Sequence, residues 1–317
     1  MKKNGKESIL KILDYLIPIV CIVAIAGASL YLFSVYKERN IADSEYDVIE
    51  KAAGITELPQ NMETEITDEE QEDDMDEYRQ TFLNLHIDFN ALEEINSDVI
   101  GWLYIPTLQL SYPVLQGTDN DYYLHHTMEG TENSSGSVFL DAESNKNMEE
   151  FNTFFYGHAM KNDTMFGSLR ELLKHHELID TNPYIYYYTK EHAYKYRMIA
   201  AYITRQGSDT YVIPETREQF YNYMQKVSQW NTYKNGLEPI AYDKNYGNVD
   251  WDELTEEELE NIDELLTFSN MYKLGTGEEV AIDNIITLST CSGSGTGQRK
   301  IVQAYLFDDY KIRIEPF

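Results

Sequence analysis

A chain of 317 residues with a hydrophobic share of 42% carries enough apolar material for one large core or two small ones plus appendages. Its 55 acidic residues against 25 Lys and Arg give a formal net charge of -30. That balance argues against nucleic acid as a partner, because phosphate binding needs clustered basic side chains, and otherwise says no more than that the surface is well solvated.

Residues 15–36 contain no charged side chain and include Ile17, Ile19, Val20, Ile22, Val23, Ile25, Leu30, Leu32 and Phe33. About 20 apolar residues in a helix suffice to cross a bilayer core, so this run is expected to be a transmembrane helix. Lys2, Lys3, Lys6 and Lys11 precede it and the chain beyond Arg39 is acidic, which orients the N-terminus to the cytoplasm and the remainder outside the cell. A cleaved signal peptide is the competing reading. The run is longer than a signal core, however, and no small-x-small site follows it, which favours a retained anchor.

Cys21 lies in that span, leaving Cys291 as the sole cysteine of the exported region. Without an intramolecular partner, Cys291 is either an inert buried residue or a reactive thiol. The expected organisation is a basic tail over residues 1–14, an anchor over 15–36, an acidic linker over 37–78 and a folded domain over 79–317. Within the linker, Glu57 to Glu77 holds eleven acidic residues and no basic one, a composition that cannot bury enough surface to offset its ordering entropy.

Phe82, Leu85, Phe89, Leu92 and Ile95 recur at helical spacing, which predicts a first amphipathic helix that also contains His86. Short strands are expected at Gly101 to Ile105, Leu110 to Leu115, Ser137 to Asp141 and Asn152 to Gly157, and a short helix at Met165 to Leu173. Tyr184 to Thr189 and Tyr194 to Thr204 read as an aromatic hairpin whose tyrosines pack on the sheet. Thr216 to Trp230 reads as a second amphipathic helix. Asp250 to Glu264, with nine acidic residues and a capping box at Thr255 and Glu258, reads as a helix with a solvated anionic face. Asn284 to Thr290 ending on Cys291, a loop of Ser, Gly, Thr and Gln, and Arg299 heading Lys300 to Leu306 form a second hairpin, followed by a last strand at Tyr310 to Glu315. About nine short strands at close spacing favour a mainly β fold, a closed or nearly closed barrel with peripheral helices.

Cys291 ends one strand and Arg299 follows eight residues later. Among seven histidines, His158 alone ends an apolar strand, as Cys291 does. A neighbouring histidine is the usual means of activating a thiol, because its pKa lies near neutrality. There is no His-Glu-x-x-His, Cys-x-x-Cys, phosphate loop or dinucleotide fingerprint, so neither a metal nor another cofactor is expected.

Thr287-Leu-Ser-Thr-Cys291 with Arg299, Tyr156-Gly-His158 upstream and an N-terminal anchor together resemble the sortases, membrane-tethered cysteine transpeptidases of Gram-positive bacteria. Asn96 to Pro106, Tyr112-Pro-Val, Tyr122-Tyr-Leu, Ser135 to Asp141 and a helix before the Cys strand are similar to class B members. The resemblance implies a thioacyl intermediate on Cys291, acid and base work by His158, and oxyanion stabilisation and substrate holding by Arg299. Ser289 or the Thr290 backbone would contact the substrate or the catalytic groups; plain strand packing is the alternative for both. The partners implied are exported proteins bearing a sorting signal, and a peptidoglycan-precursor or pilin amine. Hydrolysis of the intermediate, or a non-catalytic surface module with a buried cysteine, are the alternatives.

Overall fold

The structure is a computed structural model that describes residues 4–55, 58, 85–239, 270–291 and 297–312. The acidic stretches Glu57 to Glu77 and Asp250 to Glu264, apart from Leu58, and residues 292–296 between Cys291 and Arg299 therefore lie outside the described residues. The chain forms two compact units, Met1–Val48 and Ile49–Phe317. Helix α1 spans Asn4–Ala52, and its segment Leu16–Glu38 is long and apolar enough to cross a membrane. The helix continues through residues 37–52, where the sequence suggested the start of a linker.

In the second unit, eight strands close into a barrel. They are β1 (Val99–Ile105), β2 (Leu110–Leu115), β3 (Val138–Leu140), β4 (Asn152–His158), β5 (Tyr184–Tyr188), β6 (His192–Arg205), β9 (Ile285–Cys291) and β10 (Gln298–Lys311). Their order around the barrel is β1, β2, β3, β4, β9, β10, β6, β5, closed by pairing of β5 with β1. Closure satisfies the backbone groups that edge strands would leave unpaired. Two three-residue strands, β7 (Met271–Lys273) and β8 (Glu279–Ala281), form a separate ribbon, too short for its alternation to be read from sequence.

Helices lie around the sheet: α2 (Phe89–Ile95), α3 (Tyr122–His125), α4 (Leu169–Lys174), α5 (Glu177–Thr181) and α6 (Arg217–Trp230). The first of these corrects the sequence reading. Asp88 caps α2 by accepting from the Ala91 N–H at 3.0 Å, so the helix begins at Phe89 and leaves His86 outside it. Leu85 and Ile87 are nevertheless buried, which explains the apolar spacing that extended the expected helix upstream. The last two expected strands join as far as they are described: β10 continues through Asp308 and Asp309 to Lys311, pairing with β6 along its length, while residues 313–315 of the expected last strand lie outside the described residues. Those aspartates look like a break in sequence, yet bulges at Gln303/Ala304 and Leu306/Asp308 re-aim the strand without ending it.

The tyrosines of β5 pack as expected, on both faces of the sheet. Tyr186, Tyr187 and Tyr188 are all buried. Tyr187 meets Phe155 of β4 edge-on with ring centroids 5.1 Å apart, a contact between strands that are not neighbours in the barrel. Gly101 of β1 makes room for it, since a Cβ there would stand 2.4 Å from the Tyr187 ring.

Beneath β9 runs a closed polar network. Tyr223 of α6 donates to the Thr210 carbonyl at 2.8 Å and accepts from Asn152 Nδ2 at 3.1 Å and Gln303 Nε2 at 2.7 Å. Gln303 also donates to Thr287 Oγ1, which in turn donates to Asn152 Oδ1 at 2.7 Å. The network ties β4, β9, β10 and α6 together, and burial makes each bond costly to lose. Tyr223→Phe is expected to strand the Asn152 and Gln303 donors and destabilise the protein by roughly 1–3 kcal/mol. Denaturant unfolding of the full chain followed by near-ultraviolet circular dichroism checks this.

Candidate active site

Strands β4 and β9 run parallel and in register from Asn152↔Ile285 to His158↔Cys291. The two strands end together, so the register sets His158 and Cys291 side by side at one rim of the barrel. The β9–β10 ladder stops earlier, at Ser289↔Ile301. Beyond it the Thr290 hydroxyl accepts the Lys300 N–H at 2.9 Å, a side chain replacing the ladder carbonyl where the two strands part. Arg299 follows as the second residue of β10, paired with Thr204 of β6. The three residues singled out by sequence thus come from the ends of three adjacent strands.

A cleft of about 210 Å³ opens at this rim, lined by Asn120, Leu124, Tyr156, Gln206, Tyr211 and Arg299 among others. Leu124, on α3, supplies the contact that orients the histidine: His158 Nε2 lies 2.7 Å from the Leu124 carbonyl oxygen. A carbonyl can only accept, so Nε2 carries a proton in both states of the ring and Nδ1 is the nitrogen that titrates. Burial holds the His158 pKa below its ordinary value, the positive charges of His125 and Arg299 push the same way, and the Leu124 bond opposes them. Arg299 is half-buried, with one guanidinium nitrogen 3.0 Å from Gln206 Oε1.

Ser289 and Thr290 are both buried and occupied internally. Ser289 Oγ lies 2.8 Å from Tyr211 Oη, and the Tyr211 ring stacks on Phe154 with centroids 5.7 Å apart. Their side chains therefore hold β9 and its neighbours in place. Sequence reasoning passed over Leu124, Tyr211 and Gln206. A backbone acceptor leaves no trace in residue type, and Gln206 falls in an ordinary turn. Arg197, further along β6 from the rim, is ion-paired to Glu278 at 2.8 Å. Among the described residues no group of His, Cys, Asp and Glu could hold a metal ion.

Gly136 permits the Leu124 contact. Its φ is +55°, and a Cβ there would fall 2.6 Å from the carbonyl oxygens of both Leu124 and Tyr123. Gly136→Ala is expected to cost roughly 1–3 kcal/mol and to displace the carbonyl that orients His158, seen as a lower melting temperature and a moved His158 ring resonance. A ¹³C-histidine titration of the full-length Cys291→Ala protein should place the His158 midpoint below 6.5; a midpoint at or above that value contradicts the burial argument.

A family model described as a sortase domain matches residues 103–307. Sortase B of Listeria monocytogenes is 36% identical over 157 residues, which is 48% of this chain and 62% of that protein. Sortase B of Staphylococcus aureus is 34% identical over 124 residues, 39% of this chain and 50% of that protein, so the match spans only part of both relatives. In fold, a crystal structure of sortase B from Bacillus anthracis is similar with a TM-score of 0.54 at 23% identity, covering 86% of this chain and 99% of that one. The motif set, the closed barrel and a family model matched across more than half of the sequence together make this chain a member of the sortase family, with class B sortases as its relatives.

Proposed function

We propose that this chain is a membrane-anchored cysteine transpeptidase, which cleaves a C-terminal sorting motif of exported proteins and passes the acyl group to a peptidoglycan-precursor or pilin amine. The observation that carries the proposal is the in-register pairing of His158 with Cys291 at the ends of parallel strands, beside a cleft lined by Arg299. Family membership supports the reaction class. The apolar segment Leu16–Glu38 and its basic flank support an anchor with the N-terminus inside and the barrel outside.

In this mechanism the Cys291 thiolate attacks the scissile carbonyl carbon and the electron pair of the carbonyl moves onto oxygen. Arg299 stabilises that oxyanion; its guanidinium stays charged at any working pH and offers donors in a planar fork. Collapse breaks the C–N bond as His158 Nδ1–H protonates the leaving amine, giving a thioester on Cys291. The depressed His158 pKa makes the imidazolium a stronger acid for this step. The incoming amine then attacks the thioester, loses a proton to Nδ1 and expels the thiolate, restoring the starting state. Ser289 and Thr290 act by fixing the strand that ends in Cys291, through Tyr211 and Lys300.

The test is full-length protein in detergent, incubated with an internally quenched peptide library with and without amine acceptors. Amine-dependent ligation products and an acyl adduct on Cys291 by mass spectrometry are expected. Free acid released at a rate indifferent to amine would instead identify a hydrolase. Cys291→Ala and His158→Ala should abolish turnover, and Arg299→Ala should lower kcat roughly 10²- to 10³-fold, the scale of losing an oxyanion donor.

A further inference from the structure

We propose that Gln206 is the positioning residue of Arg299, aiming the guanidinium into the cleft through a neutral amide that leaves its charge unquenched. The inference rests on the role given to Arg299 above. Gln206 Oε1 accepts from Arg299 Nη2 at 3.0 Å, and both residues line the cleft. The Gln206 backbone is pinned to the same place: its N–H donates to the Gly297 carbonyl at 3.2 Å, two residues before Arg299. The turn after β6 therefore grips the start of β10 by backbone and side chain together.

The chemistry of the partner is the telling feature. The chain has 55 Asp and Glu for 25 Lys and Arg, so a carboxylate is the expected neighbour of any arginine. Arg170, Arg197 and Arg217 follow that expectation, each ion-paired to Asp163, Glu278 and Asp283 respectively. Arg299 does not, and among the described residues neither does the exposed Arg205; the side-chain partners of Arg299, which unlike Arg205 lines the cleft, are the Gln206 amide and the Gln298 carbonyl. Residues 292–298 also contain no acid. A carboxylate at position 206 would orient the guanidinium equally well but would compete with the oxyanion for its charge. A neutral acceptor separates orientation from neutralisation.

Two substitutions in the full-length protein separate those functions. Gln206→Glu is isosteric and keeps the contact, while Gln206→Ala removes it. With an internally quenched peptide selected from a library by wild-type turnover, each variant should lose roughly ten- to a hundredfold in kcat with little change in KM, since the oxyanion exists only in the transition state. In the Cys291→Ala background, where burial is the main cause of the low His158 pKa and the Arg299 charge a lesser one, Gln206→Glu should raise the His158 midpoint slightly by offsetting that charge, whereas Gln206→Ala should leave it in place. Both Gln206 variants turning over within about twofold of wild type while Arg299→Ala is inactive would overturn the positioning role and spare the catalytic one. Full activity in Arg299→Ala would overturn both. The titration needs no substrate, and an unmoved His158 midpoint in Gln206→Glu would by itself refute the electrostatic part.

Discussion

The parallel pairing of β4 with β9 is the constraint on which this site depends. Parallel neighbours cannot be joined by a tight turn, so the chain between them must cross over, here through β5 to β8 and the helices among them. Seven paired positions, Asn152↔Ile285 through His158↔Cys291, translate that long crossover into a fixed meeting of two residues. A slip by one residue would turn every side chain of β9 to the other face, so the register must be strongly specified. The buried polar network serves that end. Thr287 bonds to Asn152 on one side and to Gln303 on the other, and a shifted register would cost each of them that buried bond.

Charge is handled at the rim in a way that the composition would not suggest. In this strongly acidic protein Arg170, Arg197 and Arg217 are ion-paired to exposed carboxylates, and such pairs add little stability. At the cleft the pattern changes. Arg299 meets amide and carbonyl oxygens, and His158 donates to the Leu124 carbonyl. Both catalytic candidates are thus oriented by neutral dipoles, which fix geometry without cancelling the field that a developing oxyanion would feel. Burial depresses the His158 pKa, and the Arg299 charge adds a smaller push in the same direction.

Support for this arrangement comes from short elements of low sequence contrast. The helix α3 has four residues, yet it carries the Leu124 carbonyl, and Gly136 is what lets the following loop pass against its end. The turn at Gln206 and the single helical turn ending at Tyr211 follow β6 directly and supply the groups facing Arg299 and Ser289. Rigid strands thus carry the candidate catalytic residues while adjoining turns hold them from the side.

Much of this was readable from the chain alone. The apolar N-terminal helix, most strand positions, the barrel class and the candidates His158, Cys291 and Arg299 all follow from local signals: hydrophobic period, turn formers and residue type at strand ends. Reading failed where local and tertiary preferences diverge. Leu85 and Ile87 are apolar because they are buried, not because they are helical, and Asp308 and Asp309 sit within a strand whose partner outweighs their weak β preference. By itself the sequence determined which residues could react, since nucleophilicity, basicity and permanent charge belong to side-chain type. Only the tertiary structure decided that His158 stands beside Cys291, that Nδ1 is its titrating nitrogen and that Arg299 keeps a neutral partner. These depend on strand register and on backbone carbonyls, which every residue carries alike and which no local pattern can therefore distinguish.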